Sequence, residues 1–219
     1  MDAIDIIKTY KIRDLVPYAI YQLIILGDRL HSTAIFWAKV WFHGIEVRGP
    51  VSVWGRVLFV RFPGSRIIIE RNVRIISRPL RYALNIYSQS KLRTMQPSAC
   101  IRIGENVGFN SISILARSQV IEIGNNTMIG GNCQIMDTDS HPLWPPEARS
   151  YYPGSEHDAS VKIGKNVFIG LNVIVLKGSQ IGDNSVIGAG SVVNGRIPPN
   201  CIAAGVPAKV IRTMTGDCG

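Results

Sequence analysis

Between Ile163 and Pro198 the chain repeats in sixes: IGKNVF, IGLNVI, VLKGSQ, IGDNSV, IGAGSV, VNGRIP. The first position is always aliphatic: Ile163, Ile169, Val175, Ile181, Ile187, Val193. The fourth is Asn166, Asn172, Gly178, Asn184, Gly190 and Arg196. Asn and Gly enter the left-handed backbone region at low cost. A period of six, with one buried aliphatic and one positive-φ corner, is neither a helix period nor a plain strand period. It predicts a β-solenoid of short strands joined by bends.

The same phase is visible upstream at Val47, Val53 and Phe59, and again at Ile69 and Ile75. From Ser77 to about Arg102 it lapses, which predicts a loop or distorted coil; Arg78, Arg81, Lys91 and Arg93 there are candidates for meeting an anion. Regularity returns at Ile103, Phe109 and Leu115, then at Ile123, Ile129 and Ile135. Residues 141–162 form an excursion rich in Pro, Tyr and acidic groups before the repeat resumes at Ile163. A long loop on a repetitive scaffold is where function tends to sit. Three hexads make one triangular coil, and about six coils at roughly 4.8 Å each predict a prism roughly 30 Å tall. The tail 198–219 closes the stack and cannot run as one regular helix through Pro207.

Residues 1–45 carry no hexads and read as helical, apart from the solenoid of 46–219. Pro17 could start a helix, Leu15 to Leu26 is apolar, Gly27-Asp28 interrupts, and Leu30 to Phe42 resumes. Neither apolar run reaches the roughly 18–20 residues of a spanning helix, and no signal peptide is evident. Two readings stay open. The segment covers the open end of the solenoid, or its aromatic face lies in a membrane interface.

Charge adds weight to the second reading. Residues 1–102 hold 16 Lys+Arg against 6 Asp+Glu, a net +10, whereas residues 103–219 hold 8 against 9, a net −1. A basic half suits an anionic partner or simply a solvated surface. No nucleic-acid motif is present, so no nucleic-acid partner is expected. Cys100, Cys133, Cys201 and Cys218 make no CxxC pair, which predicts reduced thiols in a cytoplasmic protein, peripheral at the inner face of the membrane if the helices bind there.

The candidate chemistry centres on His141, in Asp137-Thr138-Asp139-Ser140-His141-Pro142 at the join between coil and loop. A neutral imidazole takes a proton from a hydroxyl near neutral pH, and Asp137 or Asp139 could orient it. From the local residues alone, a His beside Asp residues in a loop is more often a surface hydrogen-bonding residue. Cys133 is a weak rival nucleophile, because a position in the repeat favours packing. His31, His43, His141 and His157 are too few within the coils for a three-imidazole zinc site, so no metal is expected.

The stretch IGDNSVIGAGSVV followed by IPPNCIAAGVPAKVIR resembles the ending of the hexapeptide-repeat acyltransferases, and DTDSHP resembles their catalytic histidine motif. The likeness is greatest to the maltose and galactoside O-acetyltransferases and to capsule or O-antigen O-acetyltransferases. It covers about 100–213 well and 47–99 loosely. It implies an all-β, left-handed parallel β-helix with an N-terminal helical segment, a homotrimer and an acetyl-CoA donor. The handedness comes from the family, since parallel crossovers are otherwise right-handed. The resemblance further implies His141 as general base, Asn110 (31 positions earlier) as orienting group or oxyanion donor, and Asp139 as acceptor or His partner. For the donor it implies contacts from Phe168, Gly170, Gly188, Ala189, Asn194, Lys209 and Arg212. Phe168 stands where these sugar enzymes often carry Trp, Leu171 where Ser is common, and Asn194-Gly195-Arg196 replaces a Thr-Lys-Asp type of corner.

The function expected from these residues and that likeness is acetyl transfer from acetyl-CoA to a sugar hydroxyl, in surface polysaccharide or lipid-linked glycan assembly. An amino sugar or another small acceptor, and a non-catalytic solenoid, are the alternatives.

Overall fold

The computed structural model describes residues 11–151 and 154–214; Cys218 and the first ten residues of the N-terminal segment lie outside them. Three parallel sheets form the walls of a prism. Face 1 has seven strands, from Glu46–Val47 to Arg196–Ile197. Face 2 has seven parallel strands, from Val51–Gly55 to Cys201–Gly205, and Ala208–Thr213 closes it antiparallel. Face 3 has six, from Val57–Val60 to Val192–Val193. Consecutive strands go to consecutive faces, so each coil stacks on the last, as the hexads predict.

The interior is a column of aliphatic side chains. Ile103, Ile123, Ile163 and Ile181 stack on face 1, Ile75, Phe109, Ile129 and Ile169 on face 2, and Leu92, Ile114, Ile135 and Val175 on face 3; all are buried. A strand one to two residues past a corner exposes every second side chain, so each strand contributes one or two inward groups and the remainder face out.

The corner between faces 1 and 2 is the most regular. Asn72, Asn106, Asn126, Asn166, Asn184 and Asn200 all have φ between 54° and 61°. Their side-chain amides form a continuous ladder with steps of 3.1, 2.9, 3.1, 3.0 and 2.8 Å. The amide therefore does two things, tolerating the left-handed turn and bonding to its copy one coil away.

The structure departs from the sequence reading in four places. A single helix, α1 (Ile12–His43), replaces the interrupted pair, with Pro17 inside it. A mid-helix Gly costs only about 1 kcal/mol against Ala; packing of Ile25, Phe36 and Val40 outweighs that. Only residues 78–89 leave the coil in the irregular piece, because Ser90–Thr94 and Cys100–Ile103 are in-register strands with Leu92 and Ile101 inward. At the third coil Ile114, not Leu115, points inward: Ser111 turns at φ 46° and the pairing of face 2 slips there, which shifts the phase by one. The large loop begins after Met136 and ends at Val161, earlier than the phase predicts.

Helix α1 lies across the open end of the first coil. Its buried residues are Ile25, Ser32, Phe36 and Val40. Side chains on this face bond the unpaired strand edge: Ser32 Oγ accepts from Gly55 N (2.9 Å), Thr33 Oγ1 accepts from Val53 N (3.2 Å), and Lys39 Nζ donates to Val57 O (2.7 Å). An exposed edge would otherwise template further pairing.

The asparagine corner can be tested directly. Asn126→Ala should be less stable than Asn126→Gly by about 1–2 kcal/mol, because only the alanine keeps a Cβ in the left-handed region. Urea unfolding of the two variants measures the difference.

Candidate active site

The loop that follows Met136 is pinned at its foot by a buried cluster. The Asp137 carboxylate accepts the backbone N–H groups of Arg117 (2.7 Å), Ser118 (3.1 Å) and Gln119 (2.8 Å). Burial pushes the Asp137 pKa up, against the pull of those three donors. Asp137 is fully buried and committed to this turn, so it is not a carboxylate free to orient His141, as the local sequence suggested.

Arg117 does the rest. Its guanidinium donates to Asp158 Oδ2 (2.8 Å) and Oδ1 (2.5 Å), to the Ser140 carbonyl (3.1 Å) and to the Gly154 carbonyl (3.0 Å). Ser118 Oγ donates to Asp158 Oδ2 at 2.6 Å. Burial raises the Asp158 pKa, but the hydrogen bonds from Arg117, Ser118 and Thr138 outweigh it and the net shift is downward. Ser140 is further fixed at φ 69° with its N–H on Thr138 Oγ1 (2.9 Å). The residue before His141 is thus held by both its N–H and its C=O. His141 itself is exposed at the corner between faces 3 and 1.

Asp139 lies one step away, and its carboxylate is 2.5 Å from Lys177 Nζ. Lys177 also donates to the His157 carbonyl (2.9 Å), so it ties both ends of the loop to the coil above. Sequence reasoning missed Lys177 and Arg117. The one available signal was a charged residue at a hexad position, Lys177 in VLKGSQ, next to the loop's return point.

The other expected residues gather elsewhere. Asn110 ends a face 2 strand at the corner between faces 2 and 3, with Nδ2 donating to Ile129 O (2.9 Å). It lines a groove of about 450 Å³ with Tyr82, Met128, Phe168, Gly170 and Leu171. Gly188 and the exposed Ala189 continue this edge one coil further on. Lys209 pairs opposite Ala204 at the end of face 2, and Arg212 opposite Ile202, both exposed. Asn194 follows the last face 3 strand and lies on the edge that carries His141, away from Gly188 and Ala189. The ten residues therefore divide between the two edges of face 3. His141, Asp139 and Asn194 occupy one edge; Asn110, Phe168, Gly170, Gly188 and Ala189 occupy the other, with Lys209 and Arg212 above.

The glycines of the second edge also have a packing reason. A Cβ on Gly170 would sit 2.6 Å from Ala189 N, and one on Gly188 2.8 Å from the Ala204 Cβ. The wall is low because the coils approach closely there. The four basic candidates on the irregular segment do not converge. Arg78 Nε is 3.8 Å from Asp28, Arg81 stacks 5.3 Å over the Trp54 ring, and Lys91 and Arg93 lie on face 3. Cys133 is buried, and burial pushes its thiol up to about 11, which suits packing and not nucleophilic attack.

A family model described as "Bacterial transferase hexapeptide (six repeats)" matches residues 160–195. A putative acetyltransferase of Schizosaccharomyces pombe is 38% identical over 160 residues, covering 70% of this chain and 73% of that protein. A putative lipopolysaccharide biosynthesis O-acetyl transferase of Escherichia coli is 37% identical over 164 residues, covering 66% of this chain and 81% of its own. The chain belongs to the hexapeptide-repeat acyltransferases. The galactoside O-acetyltransferase of Escherichia coli is 41% identical over 114 residues, so this acyltransferase spans about half of that enzyme's length (52% of this chain, 54% of that protein). Among solved structures, a polysialic acid O-acetyltransferase superposes with a TM-score of 0.55 at 20% identity, over 79% of this chain and 91% of that one, which speaks for the fold. The acyltransferase prism is the left-handed β-helix that the resemblance implied.

The clamp on the loop yields a prediction. Arg117→Ala leaves Asp158 buried without its partner and should cost about 3–5 kcal/mol, with faster proteolysis of residues 138–160. Because the Asp158 pKa is held below the ordinary 3.8, its stabilising share is complete at neutral pH and is lost as pH falls from about 3.8 through the lowered value. Acid unfolding of the wild type should show that loss, and Asp158→Asn should lack it.

Proposed function

We propose that this acyltransferase moves an acetyl group from acetyl-CoA to a hydroxyl of a sugar in a surface polysaccharide or lipid-linked glycan, with His141 as general base. The observation that carries this reading is the clamp of Arg117 and Thr138 on Ser140, which presents His141 on a rigid corner beside the loop. Preorganisation of that kind is what proton transfer from a weakly acidic hydroxyl needs. Relatives named for galactoside and lipopolysaccharide O-acetylation support the sugar class.

The groove at the other edge fits the donor. It spans four coils, is apolar at Phe168, Met128 and Leu171, and is low at Gly170, with Gly188 one coil further on, so backbone groups lie within reach of an amide-bearing arm. Lys209 and Arg212 would meet its phosphates. Acetyl-CoA would supply an activated acyl thioester there. His141 accepts the hydroxyl proton as the oxygen attacks the acyl carbon, then returns that proton to the departing sulfur, so it ends neutral. Asn110 keeps a second amide N–H beyond the one given to Ile129, a donor for charge developing on the acyl oxygen.

His141 and Asn110 lie on opposite edges of face 3, so a joint site requires a second copy. A cyclic homotrimer, in which one edge of each copy meets the other edge of the next, brings them together three times. The buried thiols suit a reducing compartment, and we place the reaction in the cytoplasm.

His141→Ala should lower kcat by about 10²–10⁴ without loss of fold, measured by thiol release from acetyl-CoA across free and lipid-linked envelope sugars. Turnover within twofold of wild type would remove His141 from the mechanism. Coenzyme A at millimolar concentration should raise the Tm of both proteins, and Phe168→Ala should reduce that shift.

A further inference from the structure

Helix α1 buries one face on the first coil and leaves the opposite face bare. The bare face carries Val16, Ile20, Leu23, Leu30, Trp37 and Trp41, which are 41–84% exposed. On a helix of 3.6 residues per turn these six fall within an arc of about 100°. The other positions in that arc, apart from the exposed Ile12, are Ala19, Gly27, Ala34 and Ala38, so no charged or polar side chain interrupts it over the length of the helix. Its centre is about opposite Ile25, Ser32, Phe36 and Val40, the residues that pack on the prism. The segment from Ile12 to Ile24 projects past the coil with no buried residue. Among the described residues no helix is long and apolar enough to cross a membrane.

We propose that this face of α1 is an in-plane docking surface for a bilayer that carries anionic headgroups. Two observations favour lipid over a second helix as the occupant. First, apolar exposure extends past a helix–helix seam: Leu26 on one flank, and Ile24 and Phe42 beyond Arg13 and His31 on the other, are also 47–77% exposed. A partner helix covers a narrow stripe and would leave these wet, whereas a hydrocarbon boundary takes the whole arc, with Trp37 and Trp41 at headgroup depth. Second, the charge around the face suits lipid phosphates. Residues 11–61, which hold α1 and the first coil, contain seven cations and three acids (Asp14, Asp28, Glu46), a net +4. Arg29, Lys39, Arg48 and Arg61 bond groups of the prism, and the exposed Lys11, Arg13 and Arg56 are left to meet headgroups. Of the acids, Asp28 is turned inward toward Ser32 and Arg78, and Glu46 is held by Arg66 and Arg48. The opposed charges that would select a partner helix are missing from the flanks of the face.

The placement has a consequence for the acceptor, and this part rests on the acetyl-transfer reading. Because α1 lies across the end of the prism, its bare face looks along the coil axis, and every copy in a cyclic assembly would present it in the same direction. The His141 loop leaves the fourth coil. Three strand spacings of about 4.8 Å plus a helix diameter of about 10 Å put it about 25 Å above the lipid. A site at that height suits a glycan extended several units from its carrier, not a headgroup.

The test uses the full-length protein with vesicles of phosphatidylcholine alone or mixed with phosphatidylglycerol, in the absence of acetyl-CoA. Co-sedimentation should be at least tenfold stronger with the anionic vesicles and should weaken as salt rises. Leu23→Glu/Leu30→Glu and, separately, Trp41→Glu should each lose at least tenfold in vesicle binding, with unchanged Tm and unchanged acetyl transfer to a soluble sugar. His141→Ala should bind vesicles like the wild type while losing transfer, which separates this proposal from the catalytic one. Equal vesicle binding by wild type and helix variants would overturn it. So would wild type that ignores vesicles while light scattering shows the helix variants in a smaller assembly, since the face would then be a contact between copies.

Discussion

Each coil of the prism must turn three corners while keeping its inward side chains directly over those of the coil below. That constraint governs everything else. Most corners turn on a residue that tolerates positive φ, and stacking is favourable only if the aliphatic column is unbroken. The asparagine ladder between faces 1 and 2 meets both demands, because six amides that accept the left-handed turn also bond to one another along the axis. A substitution at one step therefore disturbs two coils.

The long loop and the expected site residues lie at the other two corners, although Asn106 and Asn126 of the ladder also border the groove. Where the chain leaves face 3, it departs for more than twenty residues, and the departure is tolerated because Asp137, Arg117 and Asp158 rebuild a rigid foot beneath it. Their charges are buried and mutually satisfied, the condition under which ionised groups can sit inside a protein. His141 rides on that foot without belonging to it. At the opposite edge, the close approach of glycines that stacking demands produces a shallow wall as a by-product. The same geometric requirement that builds the solenoid thus shapes a groove suited to an extended ligand.

The base of the prism poses a different problem. A terminal coil exposes both strand edges and core, and α1 covers them with Phe36, Val40 and the hydroxyls of Ser32 and Thr33. Apart from Trp37, which packs edge-on to Phe36, the apolar residues on its reverse face away from that cover. Burial of one face explains one stripe of a helix; a second stripe on the other side calls for a second apolar neighbour.

The repeat, its corners and the unusual status of DTDSHP were all readable from the residues in order, because each hexad states its inward aliphatic and its turn within six positions. Composition likewise made residues 1–45 different in kind. What could not be read was whatever depended on distant parts meeting. The phase slip that puts Ile114 inward arises where Ser111 turns against a bulged neighbouring strand. The burial of Asp137 comes from a turn twenty residues earlier, and the division of the expected site between two edges follows from which face each strand joins. Local periodicity sets the path of one coil; pairing between coils decides which side chains end up as neighbours, and only the folded stack contains that information.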